Sequence, residues 1–146
     1  MKVLQNIRFA PGIATVDLNG GAATAIAVDL GAVNIAPVQE LAVLLQFGNI
    51  AAACSTGTFK IEHSNDNSTW ATCSNGTFTD TTSTDTDNKC VVGYVQTGGT
   101  LRRYVRVSIT GGAGATLVGA TWMIVTGQMP NSDTERGVVQ SVNANT

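Results

Sequence analysis

The clearest alternation runs through Thr58-Phe59-Lys60-Ile61-Glu62, where Phe59 and Ile61 face one way and Thr58, Lys60 and Glu62 the other. Successive side chains of a strand point to opposite faces, so this period of two predicts a half-buried β-strand. Ser64 to Asn67 is a cluster of turn formers, and extended character resumes over Ser68 to Thr72 around Trp70. Tyr104 to Thr110 repeats the pattern, with Val105, Val107 and Ile109 inward and Arg106, Ser108 and Thr110 outward. Leu41 to Phe47 differs. Leu41, Val43, Leu45 and Phe47 share one face, yet Leu44 makes the other apolar too, as in a central strand covered on each side. Its short length and Gly48 favour strand over helix.

The same reading makes Ala22 to Asp29 a first core strand, with Ala25, Ala27 and Asp29 opposing Thr24, Ile26 and Val28. Cys90 to Val95 is a short strand, and Gly98-Gly99 turns the chain into the Arg102–Thr110 segment. Ala115 to Thr126 closes the series, with Val118, Trp122 and Ile124 on one side and Leu117, Met123 and Val125 on the other. Between Cys73 and Cys90, residues 74–89 are a low-complexity Thr, Ser and Asp stretch and read as an exposed loop. Residues 1–20 hold too few large apolar side chains for a core of their own and read as an arm lying on the domain or on a neighbour. Short strands separated by turn signals predict a single all-β domain, an antiparallel, jelly-roll-like β-sandwich over residues 21–127. The N-terminal arm (1–20) and a polar C-terminal tail (128–146) flank it.

Length and composition narrow the class. At 146 residues the chain is one domain by size. Its sixteen glycines and scarce Glu, Lys and Leu disfavour long helices. Charged residues make up 12%, about half the usual share, and the net charge is −2. Arg102-Arg103 is the one adjacent basic pair, so no patch attracts a phosphate backbone and nucleic acid is not an expected partner. So weakly charged a surface points to one partly covered by other protein. Gln5, Asn6 and Arg8 break any apolar export signal, and no apolar run reaches bilayer length, so the reading is of a soluble protein made in a cytoplasm, without a membrane partner. Three cysteines leave at least one thiol unpaired in a monomer; a Cys73–Cys90 bridge would close the 74–89 loop, but reduced thiols are the expectation.

No residue set predicts catalysis. Gly114 and Gly119 are spaced as in a phosphate-binding loop, but Ala120 stands where the lysine belongs and a strand follows, so a tight hairpin turn is expected. His63, the sole histidine, reads as ending a strand at the surface, since one imidazole supplies neither a zinc set nor a triad. Asp80, Asp85 and Asp87 lack calcium-loop spacing and read as solvated. Trp70, Trp122, Tyr94 and Tyr104 suit either core packing or a sugar-stacking platform, the former favoured. Asn67-Ser68-Thr69 and Asn75-Gly76-Thr77 match glycosylation sequons that carry no weight without export. No catalytic, cofactor-binding or metal-binding residue is expected.

From about Thr24 to Met129 the chain resembles the capsid decoration (cement, or head-stabilising) proteins of tailed bacteriophages. The likeness lies in Ala27-Val28-Asp29-Leu30-Gly31, the apolar strand at Leu41–Phe47, Gly57 to Trp70 with its Ser-x-Asp-x-Ser-Thr-aromatic turn, Arg103-Tyr104-Val105-Arg106-Val107, and the apolar stretch at 115–127. It implies a non-enzymatic structural virion protein, made in the host cytoplasm and placed on the capsid exterior. Such a protein binds the expanded lattice, stabilises contacts between major capsid subunits and is a homo-oligomer, dimer or trimer. The alternative is a carbohydrate-binding or host-attachment module of a fibre or tail, which requires an exposed Trp70 or Trp122.

Overall fold

The computed structural model describes residues 7–31, 38–54, 57–78, 87–96 and 101–126. These residues form β1 (Ile7–Pro11), β2 (Val16–Asp17), β3 (Ala22–Thr24), β4 (Val28–Asp29), β5 (Val38–Ile50), β6 (Lys60–Ser64), β7 (Ala71–Thr77), β8 (Cys90–Gln96), β9 (Tyr104–Thr110) and β10 (Thr116–Thr126), with no helix among them. One sheet runs β1-β10-β5-β8, with β2 also on β10; the other runs β3-β9-β6-β7, with β4 also on β9. Every pairing is antiparallel. The chain is therefore the all-β antiparallel sandwich that the alternation predicts.

The core is the inward set of each strand. From the first sheet come Leu41, Val43, Leu45 and Phe47 of β5 and Val118, Trp122 and Ile124 of β10. Against them pack Ile61 of β6, the preceding Phe59, and Val105, Val107 and Ile109 of β9. Full burial of a side chain of this size contributes about 1.5–3 kcal/mol, so these positions dominate stability. Phe59 joins both layers: its ring meets Phe47 edge-on at 5.8 Å and stacks on Phe78 at 4.1 Å. Gly93 leaves room for that stack, because a Cβ there would lie 2.6 Å from the Phe78 ring.

Several expectations are corrected by how the sheets close. Phe78 donates its backbone N–H to the Phe59 carbonyl and β7 extends to Thr77, so the first part of the 74–89 stretch is strand and core edge. Residues 79–86 lie outside the described residues, and Asp87 is tied down, accepting the Ile50 N–H at 3.0 Å. Threonine-rich sequence reads as loop by composition, yet β-branched Thr is also a good strand former. The glycine-rich piece 111–115 is not a hairpin turn within one sheet: it carries the chain from β9 of the second sheet to β10 of the first. Gly112 is required at that corner, since a Cβ would collide with the Ala53 carbonyl oxygen.

The predicted Ala22–Asp29 strand is two short edge strands on β9, β3 and β4, separated by Ala25 to Ala27. The break turns Ile26 outward, leaving it 64% exposed, while Ala25 and Val28 are buried. Of the two surfaces open to the N-terminal arm, residues 7–18 take the domain. Ile7–Pro11 pairs with Val125–Thr121, Val16 and Asp17 pair with Val118 and Leu117, and Ile13 and Leu18 enter the core. Residues 1–6 and the tail from 127 lie outside the described residues.

Candidate interaction surface

The two outer faces of the sandwich carry opposite chemistry. On the second sheet, Glu62 of β6 stands beside Arg106 of β9 in direct register. Its carboxylate accepts from Arg106 Nε at 2.8 Å and pairs with Lys60 Nζ at 3.0 Å. The Arg106 guanidinium also lies 4.0 Å over the Trp70 ring, so one cation is held between a carboxylate and an aromatic face. Burial pushes the Glu62 carboxyl up, but the hydrogen bonds and charges of Lys60 and Arg106 outweigh it and hold the group below its ordinary range. At the edge, Arg103 grips Asp29 through two bonds of 2.8 Å and lies 5.0 Å over Tyr104. The ionisable groups of this face are thus bound to one another.

The turn leading to Trp70 is built from the Ser64-x-Asp66-x-Ser68-Thr69 stretch quoted above. Asp66 Oδ1 accepts the N–H groups of Ser68 and Thr69 at 2.9 and 2.7 Å and the Ser64 hydroxyl at 2.8 Å. These bonds, the Thr69 amide foremost, hold the carboxyl well below its ordinary range. The motif is a turn clamp that orders the hairpin and sets Trp70 at the foot of β7.

On the first sheet the register lays out a different surface. Phe9, Met123, Ala42 and Tyr94 form one outward row across β1, β10, β5 and β8. Pro11, Thr121, Leu44 and Val92 form the next, and Ile7, Val125 and Glu40 lie beyond Met123 and Ala42. The first two rows hold no charged side chain. Tyr94 is 79% exposed and Val92 39%. β5 is central in its sheet, and its outer side is itself largely shielded, with Ala42 buried and Leu44 half-buried, although among the described residues no third layer of strands packs on it. These face residues are what sequence reading missed. The signal was present in strands apolar on both sides, but was assigned to a second covering layer.

A third feature is a cleft of about 570 Å³ between β6–β7 and β8, lined by Ile61, His63, Cys73, Phe78, Tyr94 and Leu101 among others. His63 does not end a strand at the surface. It sits between Ala71 and Val105, nine-tenths buried, and its Nδ1 has no hydrogen-bond partner among the described residues. Burial first, then the charge of Arg102, pushes its pKa down, which keeps the imidazole neutral. Burial and the Glu62 carboxylate push the half-buried Cys73 thiol up, so the pair lacks the thiolate that nucleophilic chemistry uses. Cys54 is a buried thiol and Cys90 an exposed one.

The remaining candidates disperse. Trp122 is wholly buried, Trp70 is capped by Arg106, and Tyr94 lies on the opposite sheet from Tyr104, so the four aromatics form no common platform. Gly114 and Gly119 flank the start of β10, a strand with no helix N-terminus for a phosphate. Asp80 and Asp85 lie outside the described residues, and among those described no three His, Cys, Asp or Glu side chains gather as a metal site would need. No protein-family model, curated protein or solved structure matches this chain.

Proposed function

We propose that this protein is a structural component of a phage virion that binds the outer surface of the expanded capsid and stabilises contacts between major capsid subunits. The observation that carries the reading is the charge-free apolar outer face of the first sheet, on which Tyr94 and Val92 stand exposed, beside a second face whose charges are already paired. Such a molecule acts by adhesion to other protein, because apolar area gains free energy on leaving water whereas satisfied ion pairs gain little. The sequence likeness to capsid decoration proteins supports the same conclusion. Binding that favours only the expanded lattice stabilises that lattice by mass action, in proportion to occupancy. The sugar-stacking alternative draws no support from Trp122 in the core or from Trp70 beneath Arg106.

The test is co-sedimentation of the full chain with purified capsids before and after expansion. Binding to expanded shells alone is expected; binding to neither form overturns the reading. Residues 1–6 and 128–146 are proposed to add contacts with neighbouring subunits, each multiplying the avidity of a weak docking. Removing them leaves β1 to β10 in place and is expected to lower capsid occupancy. Deleting 1–20 is not an equivalent test, because it removes β1, β2 and the buried Ile13 and Leu18.

A further inference from the structure

We infer that β8 is a docking edge that takes an extended, uncharged peptide segment of another protein as an added strand, with one aliphatic side chain of that segment entering the cleft beside Gly93. The site adjoins the apolar outer face of the first sheet without covering it, and the inference does not depend on the capsid reading.

The backbone supplies the first observation. Phe47 donates its N–H to the Lys89 carbonyl, and such hydrogen-bonded pairs recur at every second residue of an antiparallel ladder. Val91, Gly93 and Val95 therefore bond to β5, opposite Leu45, Val43 and Leu41. Val92 and Tyr94 turn their N–H and C=O groups the other way, where β8 has no neighbour among the described strands. A row of such groups is a template for one more strand.

The second observation is that the other sheet edges are blunted and this one is not. β3 and β4 are only three and two residues long. β1 carries Arg8 and ends on Pro11. β7 loses its register between the Lys60–Thr77 and Glu62–Thr72 pairs, where residues 73–76 bulge out opposite Ile61. Short strands, charge, proline and bulges all discourage a strand from adding. β8 runs seven residues without proline or charge, and its register with β5 is unbroken from Gln96 to Cys90.

The cleft supplies the third. Its volume of about 570 Å³ lies within the range of ligand pockets, and Val92 to Val95 of β8 form one of its walls. Cross-strand neighbours share a face, so a residue added opposite Gly93 points inward like Gly93. There it meets the half-buried Phe78 ring, Ile61 and Leu101, and Gly93 has no side chain to compete for the space. Residues added opposite Val92 and Tyr94 point outward and extend the outer face. The described lining contains no Asp, Glu, Lys or Arg, so a charged side chain would lose its hydration there without gaining a counter-charge. A second copy of β8 centred on Gly93 would set glycine opposite glycine and leave the cleft unfilled, which favours a different sequence as occupant.

The probe is the peptide acetyl-Lys-Thr-Thr-Leu-Thr-Thr-Lys-amide, whose threonines favour the extended state and whose lysines fall beyond the cleft. Amide hydrogen exchange of the full chain is followed by NMR without peptide and with it at roughly 10 mM, about ten times a millimolar Kd. In the free chain Val91, Gly93 and Val95 should exchange slowly and Val92 and Tyr94 fast. The peptide should slow Val92 and Tyr94 about tenfold, whereas the same peptide with Asp in place of Leu should leave them fast. Tyr94→Pro removes an N–H that no described strand uses, and should keep Val92 fast in the presence of the leucine peptide. Cys73→Phe, which fills the cleft from β7, gives the same readout should Tyr94→Pro unfold the chain. Slow exchange at Val92 and Tyr94 without peptide means that the chain itself or a second copy already covers the edge, and overturns the inference. So do unchanged exchange with the leucine peptide, equal protection by the aspartate peptide, and protection that survives Cys73→Phe. No capsid is present, so neither result alters what co-sedimentation reports.

Discussion

The outer faces of the two sheets are built on the same backbone plan and do opposite work. On the second sheet, Lys60, Glu62, Arg106 and Trp70 hold neighbouring strands together, so the face contributes to stability and has little left to offer a partner. On the first sheet, Phe9, Leu44 and Met123 are half-buried and Tyr94 is exposed, so the face contributes less to the isolated fold and, on the proposed reading, offers apolar area to a partner. Alternation alone does not separate the two. What separates them is whether the outward positions carry groups that can satisfy each other within the sheet.

The comparison breaks most readily at Glu62. Glu62→Ala should cost about 3 kcal/mol in denaturant unfolding, because it leaves two cations without their shared carboxylate in a half-buried site. A loss below about 1 kcal/mol would show that the second face is not a clamp. Acid acts on the same site with a defined sign. The folded pKa of Glu62 is depressed, so its contribution is complete above the ordinary value of 4.5 and is lost as pH falls towards the folded pKa.

His63 gives an earlier limb. It is held neutral by burial, so its contribution is complete above 6.5 and falls away below that, as the unfolded chain alone takes up the proton. Unfolding free energy measured from pH 7.5 to 5 should therefore decline, and His63→Gln should flatten that decline without touching the Glu62 limb. Smaller still is Arg106→Lys, expected to cost about 1 kcal/mol, since an ammonium keeps the charge but loses the planar stack on Trp70. The smallest stability effect is expected on the other face. Met123→Lys should change unfolding by less than about 1 kcal/mol, because the lysine stem covers the same strand while its head reaches water. A large destabilisation there, measured in the same denaturant assay, would mean the apolar face belongs to the fold and not to a partner.

Much of this architecture was legible residue by residue. Phe59 and Ile61 opposite Lys60 and Glu62, and Val105, Val107 and Ile109 opposite Arg106, announced strands with one wet side, and both lie where the alternation places them. The alternation likewise puts Val118, Trp122 and Ile124 on one side of the last strand, and that side is the buried one. Position within a sheet was harder to read. His63 looks like a strand-end surface residue until β7 and β9 enclose it, and Phe78 looks like loop until it stacks on Phe59. The interaction surface was half legible: Leu44 marked β5 as apolar on both sides, but a strand carries no record of how many layers cover it.

The amino-acid order determined by itself the strand type, the inward sets of β5, β6, β9 and β10 and the turn at 64–69, because a period of two and local turn chemistry act over a few neighbouring residues. Tertiary structure alone decided that residues 7–18 join the sandwich, that Glu62 meets Arg106, and that Ala42, Leu44, Met123 and Tyr94 share one outer face. Those outcomes depend on strand order and register, which are set by how all the inward side chains fill one core together, and no short window of sequence contains that condition.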